Sequence, residues 1–296
     1  MIKNLFGLMV TAGICSCTST DLYQSSDFTA PGSFTAEAEG PAVDAQGNLY
    51  AVSYDYKETI GKVTPEGKGS VFIKMPQGST ANGIRFNQNE EMFIADYTGH
   101  NVLKADLKGK VSVFAHEPQM NQPNDLAIMD NGILFASDPN WSKGDGQMWK
   151  IDTQGQVTLL EKNMGTTNGI EVSPDQKRLY VNESKQLKIW AYDLTKDGTV
   201  SEKKLFHSFK DGGLDGMRCD VDGNLYVTRW SSSCVVKLSP QGQLLKTIQL
   251  KGEKPTNIAF GGKDGKTAYI TVADRGNIET FRVERPGRAW ALRGAK

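Results

Sequence analysis

Histidine is scarce in this chain: His100, His116 and His207 are the three among 296 residues. A zinc site built on imidazoles has too few residues to draw on. Cysteine is scarce too, with Cys15 and Cys17 near the start and Cys219 and Cys234 in the body, four in all. That is no disulfide scaffold. Neither sign of charge is in excess, since Lys plus Arg and Asp plus Glu both number 34. A polyanion-binding protein would show a basic surplus, so nucleic acid is excluded as the expected partner. There is no Gly-x-Ser-x-Gly elbow, no phosphate loop and no dinucleotide fingerprint. Proline is sparse at 11 residues while glycine reaches 31, a balance that fits many short strands joined by turns.

Apolar runs are also missing, apart from one at the start. Lys3 gives a charged beginning and Leu5 to Ile14 a short apolar stretch, followed by Cys15-Ser16-Cys17. The run is too short to span a bilayer and has the layout of a secretory signal. Ile14-Cys-Ser-Cys17 also resembles a bacterial lipobox with Cys17 as the lipid acceptor; a plain cleaved signal is the alternative. The expected organisation is a signal over 1–17, a polar tether over 18–31 and one domain over 32–296. The protein would be exported and periplasmic, touching a membrane only through a lipid on Cys17. Its oligomeric state has no sequence signal.

What the chain has in abundance is repetition. Asp44-Ala-Gln-Gly-Asn-Leu-Tyr50 returns almost verbatim as Asp220-Val-Asp-Gly-Asn-Leu-Tyr226. Looser copies end in Met92-Phe-Ile-Ala95, Ile133-Leu-Phe-Ala136, Arg178-Leu-Tyr-Val181 and Thr267-Ala-Tyr-Ile270, making six. A further alternating strand, a Gly-rich turn and a short fourth strand follow each copy. Four strands per repeat of just over forty residues predict an all-β fold, a six-bladed β-propeller with four-stranded blades. The last blade runs out of chain after its third strand. An N-terminal strand, Ser33-Phe-Thr-Ala36, is expected to complete it and cover the open edges. Cys219 and Cys234 fall on the first and third strands of one blade, roughly 9–10 Å apart, and are expected to be free buried thiols.

Aligning the repeats on the start of each innermost strand brings Glu39, Asn82, Asn124, Asn168, Asp215 and Asn257 into register, spaced by 43, 42, 44, 47 and 42 residues. Innermost strands line the axis of a propeller, so six equivalent positions form a ring, and every occupant carries a side-chain oxygen. Turn chemistry accounts for Asn82-Gly83, Asn168-Gly169 and Asp215-Gly216, but not for Asn124-Asp125, Asn257-Ile258 or Glu39-Gly40. Oxygens gathered on one axial point call for a cation or ordered water. Two carboxylates among amides suit one divalent cation, Ca²⁺ first, with Mg²⁺, Mn²⁺ or Zn²⁺ as alternatives. Trp141, in Asp138-Pro-Asn-Trp141, is placed either to wall a pocket at the mouth or to pack in an ordinary loop.

Ala38-Glu-Gly-Pro41, Pro123-Asn-Asp125, Thr167-Asn-Gly-Ile170, Leu214-Asp-Gly-Met217 and Pro255-Thr-Asn-Ile-Ala-Phe-Gly-Gly262 occur in that order along the chain. Together they resemble the SMP-30/gluconolactonase/luciferin-regenerating family of six-bladed propellers. The resemblance implies Glu39, Asn124, Asn168 and Asp215 as metal ligands, with Asn82 and Asn257 behind them or facing the substrate. It also implies hydrolysis of a lactone or related ester by Lewis-acid polarisation of the carbonyl and attack by water, with Asp215 or Asp125 as the base. Animal sugar lactonases of the family tend to carry Arg two residues before the Asn-Asp pair. Gln122 stands there in this chain, which leaves a larger or less polar lactone open. A phosphotriesterase or arylesterase on the same architecture and a non-catalytic NHL-like binding propeller are the competing functions.

Overall fold

The recurring turn fixes where strands begin. The Asp44 carboxylate accepts the Asn48 backbone N–H at 2.8 Å and the Tyr50 hydroxyl at 3.0 Å. Between them Gly47 takes a φ of +84°, which costs other residues strain. Asp220 repeats the device, accepting the backbone N–H groups of Asp222 and Asn224 at 3.0 Å. Each turn then releases the chain into a strand whose aromatic ring, Tyr50 or Tyr226, is fully buried.

The computed structural model describes residues 22–294 and contains six four-stranded antiparallel sheets. Blade one runs outward through Phe34–Val43, Leu49–Tyr54, Thr59–Val63 and Gly69–Lys74. The first strands of the next five blades are Ala81–Phe86, Leu126–Ile128, Thr167–Val172, Met217–Cys219 and Pro255–Gly261. They touch one another in a closed circle and line the axis. Outer strands such as Leu244–Gln249 are mostly exposed. The chain is the six-bladed β-propeller that the repeats predict.

Six apolar clusters hold the ring together, one in each seam between neighbouring blades. Tyr50, Ile60, Ile84 and Ile94 fill the seam between blades one and two. Ala38, Leu49, Tyr269 and Ile278 fill the seam that closes blade six onto blade one. Each fully buried Ile, Leu or Phe adds roughly 1.5–3 kcal/mol, so no single seam carries the fold. Cys219 and Cys234 are free and buried, as the strand spacing predicts.

Blade six does borrow an N-terminal strand, but not the one expected. Ser26–Asp27 pairs with Asn277–Arg282, whereas Phe34 lies in blade one opposite Tyr54. The Phe34 ring packs edge-on against Tyr54 at 5.1 Å, so burial draws Ser33–Ala36 into the first blade. Ser26–Asp27 has no apolar alternation to read. Charge holds it instead: Asp27 meets Arg275 at 2.6 Å, Asn277 at 3.0 Å and Lys251 at 3.1 Å. From Leu22 on, then, the expected tether is folded against the propeller. The signal, with Cys15 and Cys17, lies outside the described residues, among which no helix is long and apolar enough to cross a membrane.

A short C-terminal helix, Arg288–Gly294, has no counterpart in the repeat pattern. It covers the end of the axial channel remote from the ring. Arg288 donates to the Ile128 carbonyl at 3.0 Å, and Arg293 donates to the Val43 carbonyl.

Candidate metal centre and active site

The aligned ring sits where the inner strands break register. Between Glu39 and Ala42, Ala81 and Ile84, Thr167 and Ile170, and Pro255 and Asn257, the inner strand shifts against its neighbour. Bulges of this kind re-aim a side chain, here toward the axis. The glycines beside the ring residues belong to the same geometry. A Cβ on Gly169 would stand 2.3 Å from the Asp215 carbonyl oxygen, and one on Gly83 would stand 2.9 Å from that of Asn124. Close approach of neighbouring blades demands those glycines, not a tight turn. Gly83 donates to the Asn124 carbonyl at 2.8 Å and Gly216 to that of Thr256 at 2.7 Å.

Side chains from distant blades converge there. The Asn257 amide of blade six donates to Glu39 of blade one at 3.0 Å and to Asp125 of blade three at 3.3 Å. Asp215 of blade five lines the same cavity as Glu39 and Asn168. Burial and the negative charge of Asp125 push the Glu39 carboxyl up to about 7. Burial and Glu39 together push Asp215 well above its ordinary value. Two neighbouring carboxyls resist ionising together.

Their amide neighbours are under-satisfied. The Oδ1 atoms of Asn124 and Asn168 are buried and have no hydrogen-bond partner. Their backbone surroundings are fixed, since Asn82 donates to the Asn124 carbonyl at 2.9 Å and Asn182 to the Asp215 carbonyl at 2.6 Å. Orphaned buried oxygens beside two charge-frustrated carboxyls fit a hard cation, which would take the lone pairs and relieve the repulsion. Glu39, Asn124, Asn168 and Asp215 are the residues able to hold it.

Above the ring opens a cavity of about 1010 Å³. Glu39, Asn82, Asn124, Asn168 and Asp215 form part of its lining, with Trp141, Tyr97 and Trp230 on the walls. Lys185 donates to the Trp141 carbonyl at 3.0 Å and lies 5.7 Å from the centre of its ring. Trp141 therefore faces the cavity. Gln122 is not in its lining, and its side-chain oxygen accepts the Trp141 backbone N–H at 3.4 Å.

Asp125 and the sixth ring member, Asn257, lie outside the cavity lining. Asp125 has no exposed surface and pairs with Arg85 at 2.9 Å and Arg218 at 3.2 Å. Burial opposes its ionisation, but the two guanidiniums outweigh burial and hold its carboxyl below the usual range.

Repeat alignment carried no assignment for the charged partners of Asp125. Arg85, Glu171 and Arg218 each stand three positions after a ring residue, in Asn82-Gly-Ile-Arg85, Asn168-Gly-Ile-Glu171 and Asp215-Gly-Met-Arg218. A charge repeated at one place in otherwise apolar inner strands was the available signal. Asn182, on the second strand of blade four, had none.

The fold and ring together define a six-bladed propeller with an oxygen-lined axial site, and comparison with known proteins names its family. The family model described as SMP-30/Gluconolactonase/LRE-like region matches residues 33–274, and the chain belongs to that family. A gluconolactonase of Zymomonas mobilis is 26% identical, matching 84% of this chain and 79% of its own length. A diisopropyl-fluorophosphatase of Loligo vulgaris is also 26% identical, over 85% of this chain and 90% of its own. Among solved structures, a calcium-binding regucalcin of Agrobacterium tumefaciens shares the fold with a TM-score of 0.77, at 20% identity over 88% of this chain and 96% of that one.

Proposed function

We propose that this protein is a divalent-metal-dependent hydrolase that opens a lactone ring. The observation that carries the proposal is the pair of orphaned oxygens, Asn124 Oδ1 and Asn168 Oδ1, beside the frustrated carboxyls of Glu39 and Asp215 at the floor of a large cavity. The gluconolactonase relative supports the lactone, and the calcium-binding structural relative supports Ca²⁺ before Mg²⁺, Mn²⁺ or Zn²⁺. When bound, the cation supplies Lewis-acid polarisation of the substrate carbonyl.

The chain's own residues do the rest. Asp215 lines the cavity and Asp125 does not, so Asp215 is the base and Asp125 a fixed counter-charge below. The Asp215 carboxylate takes a proton from water as the water oxygen bonds to the carbonyl carbon. When the ring C–O bond breaks, that proton passes to the departing alkoxide, leaving a hydroxy acid. Asn82 borders the substrate and fixes the Asn124 backbone. Trp141, Tyr97 and Trp230 offer flat faces to the body of the substrate and exclude water from one side. Export, with a lipid on Cys17, belongs to the same proposal and rests on residues 1–17 alone.

Hydrolysis of a panel of lactones, aryl esters and phosphotriesters tests it, with Ca²⁺, with chelator, and in Asp215→Ala. Lactone turnover should require both the cation and Asp215; turnover that survives either loss overturns the mechanism. The Loligo vulgaris relative, named a fluorophosphatase, supports one second reading, hydrolysis at phosphorus as in a phosphotriesterase, which the same panel separates. A non-catalytic binding propeller would show neither cation binding nor turnover.

A further inference from the structure

Every blade carries a buried aromatic ring on its second strand, and two places further on stands a residue level with the axial oxygens. From blade one to blade six these residues are Val52, Ala95, Ser137, Asn182, Thr228 and Thr271. Val52 stands opposite Glu39 and Thr271 opposite Asn257, while Thr228 exchanges backbone bonds with Asp215 and Gly216 at 3.1 Å. Ser137, Asn182, Thr228 and Thr271 are polar, yet none has any exposed surface. The fold does not require polarity there, since blades one and two close around a valine and an alanine. We propose that these four are positioning residues for the axial cation site, fixing the backbone that presents its oxygens. The inference rests on the metal-dependent reading above and deepens it.

The bonds they make are the ground for it. Asn182 of blade four donates its amide to the Asp215 carbonyl of blade five at 2.6 Å. Thr228 of blade five donates to the Thr256 carbonyl of blade six at 2.8 Å and lies 3.0 Å from that of Gly216. Thr271 accepts the Asn257 N–H at 3.0 Å, and its hydroxyl lies 2.6 Å from that of Thr256. Thr256 in turn donates to the Ala38 carbonyl of blade one at 2.7 Å. Ser137 accepts the Asp125 N–H at 3.0 Å. Apart from the hydroxyl pair, each of these bonds ends on a ring residue or on the residue beside one. Those from Asn182, Thr228 and Thr256 also cross to the next blade. The residue type changes from blade to blade, so the shared role shows only in the bonds.

None of the four lines the large cavity, so none touches substrate, and each acts through the residues it holds. A cation site gains affinity when its oxygens are set in place before the ion arrives, because less freedom is lost on binding. Groups that hold ligands from behind are worth about 10–100-fold in metal affinity.

Calorimetric titration with Ca²⁺ tests the role without reference to turnover. Thr228→Val and Asn182→Leu keep the volume and remove the polar group. Each should weaken Ca²⁺ binding by about 10–100-fold, and Thr228→Ser should restore it. Thr29→Val is the control: it removes a buried hydroxyl that accepts the Ile278 N–H at 3.0 Å, far from the axis. It should lower the melting temperature and leave the affinity at the wild-type value. Circular dichroism checks folding, and where one of the two ring variants does not fold the other decides. Wild-type affinity in a folded Thr228→Val or Asn182→Leu protein overturns the proposal, as does an equal loss in Thr29→Val. Wild-type protein that binds no Ca²⁺ overturns the metal-dependent reading itself; binding that the variants share with the wild type overturns the positioning role alone.

Discussion

Asn257 and Asp125 stand on opposite blades, six and three, and the Asn257 amide donates to the Asp125 carboxylate at 3.3 Å. The same amide nitrogen reaches Glu39 at 3.0 Å. Asn257 thus joins the upper layer, where a cation fits, to the lower layer of ion pairs. Residues 132 apart in sequence become neighbours because the chain circles one axis.

Asp125 should matter for stability before it matters for chemistry. Asp125→Asn leaves Arg85 and Arg218 facing each other with no intervening charge, and breaking one partner of a buried pair costs about 3–5 kcal/mol. Urea unfolding should show a loss of that size. A loss below about 1 kcal/mol would mean that the guanidiniums find other partners.

The strand that closes the ring gives a gentler test. Asp27 is held near a pKa of about 2, chiefly by its bonds to Arg275. Because that value is depressed, its contribution is present above the ordinary carboxylate range and fades as pH falls toward 2. Asp27→Ala should cost about 1 kcal/mol, the scale of a half-exposed pair, and should open residues 22–29 to proteolysis. Unchanged cleavage would show that backbone pairing alone secures the strand.

Much of this was legible in the sequence, and the limit is instructive. The repeat fixed the blade count and put Glu39, Asn124, Asn168 and Asp215 on one ring, because four strands per repeat leave the chain one way to close. Sequence pattern could not place Ser26–Asp27, whose two residues carry no period and are held by Arg275 and Lys251 from the far end of the chain. It could not separate Asp125 from Asp215 either. They sit one step from each other in repeat register, and only the folded chain shows one lining the cavity and the other paired with the arginines.

Removing the cation should invert the usual effect of pH on a carboxylate. Glu39 rises from 4.5 to about 7 in the folded protein, and Asp215 is raised as well. The folded state therefore retains protons that the unfolded chain releases. The contribution of these two carboxyls to the stability of the chelated protein is fully present below about 4.5 and is lost as pH rises through about 7. Thermal melts across that window should fall with pH in chelator, and Ca²⁺ should remove the decline by supplying the missing positive charge. A flat profile in chelator would argue against two frustrated carboxyls.

Glu39→Gln keeps an oxygen in place and removes one negative charge. Calorimetric Ca²⁺ affinity should fall by at least about tenfold while the far-ultraviolet spectrum is unchanged. Equal affinity would remove Glu39 from the set of ligands.

The most direct measurement is a crystal structure of the protein grown with Ca²⁺. A single ion is expected at roughly 2.3–2.6 Å from oxygens of Glu39, Asn124, Asn168 and Asp215 together. Those four oxygens spread beyond reach of any common atom, or the ion bound elsewhere with the ring left dry, would contradict it.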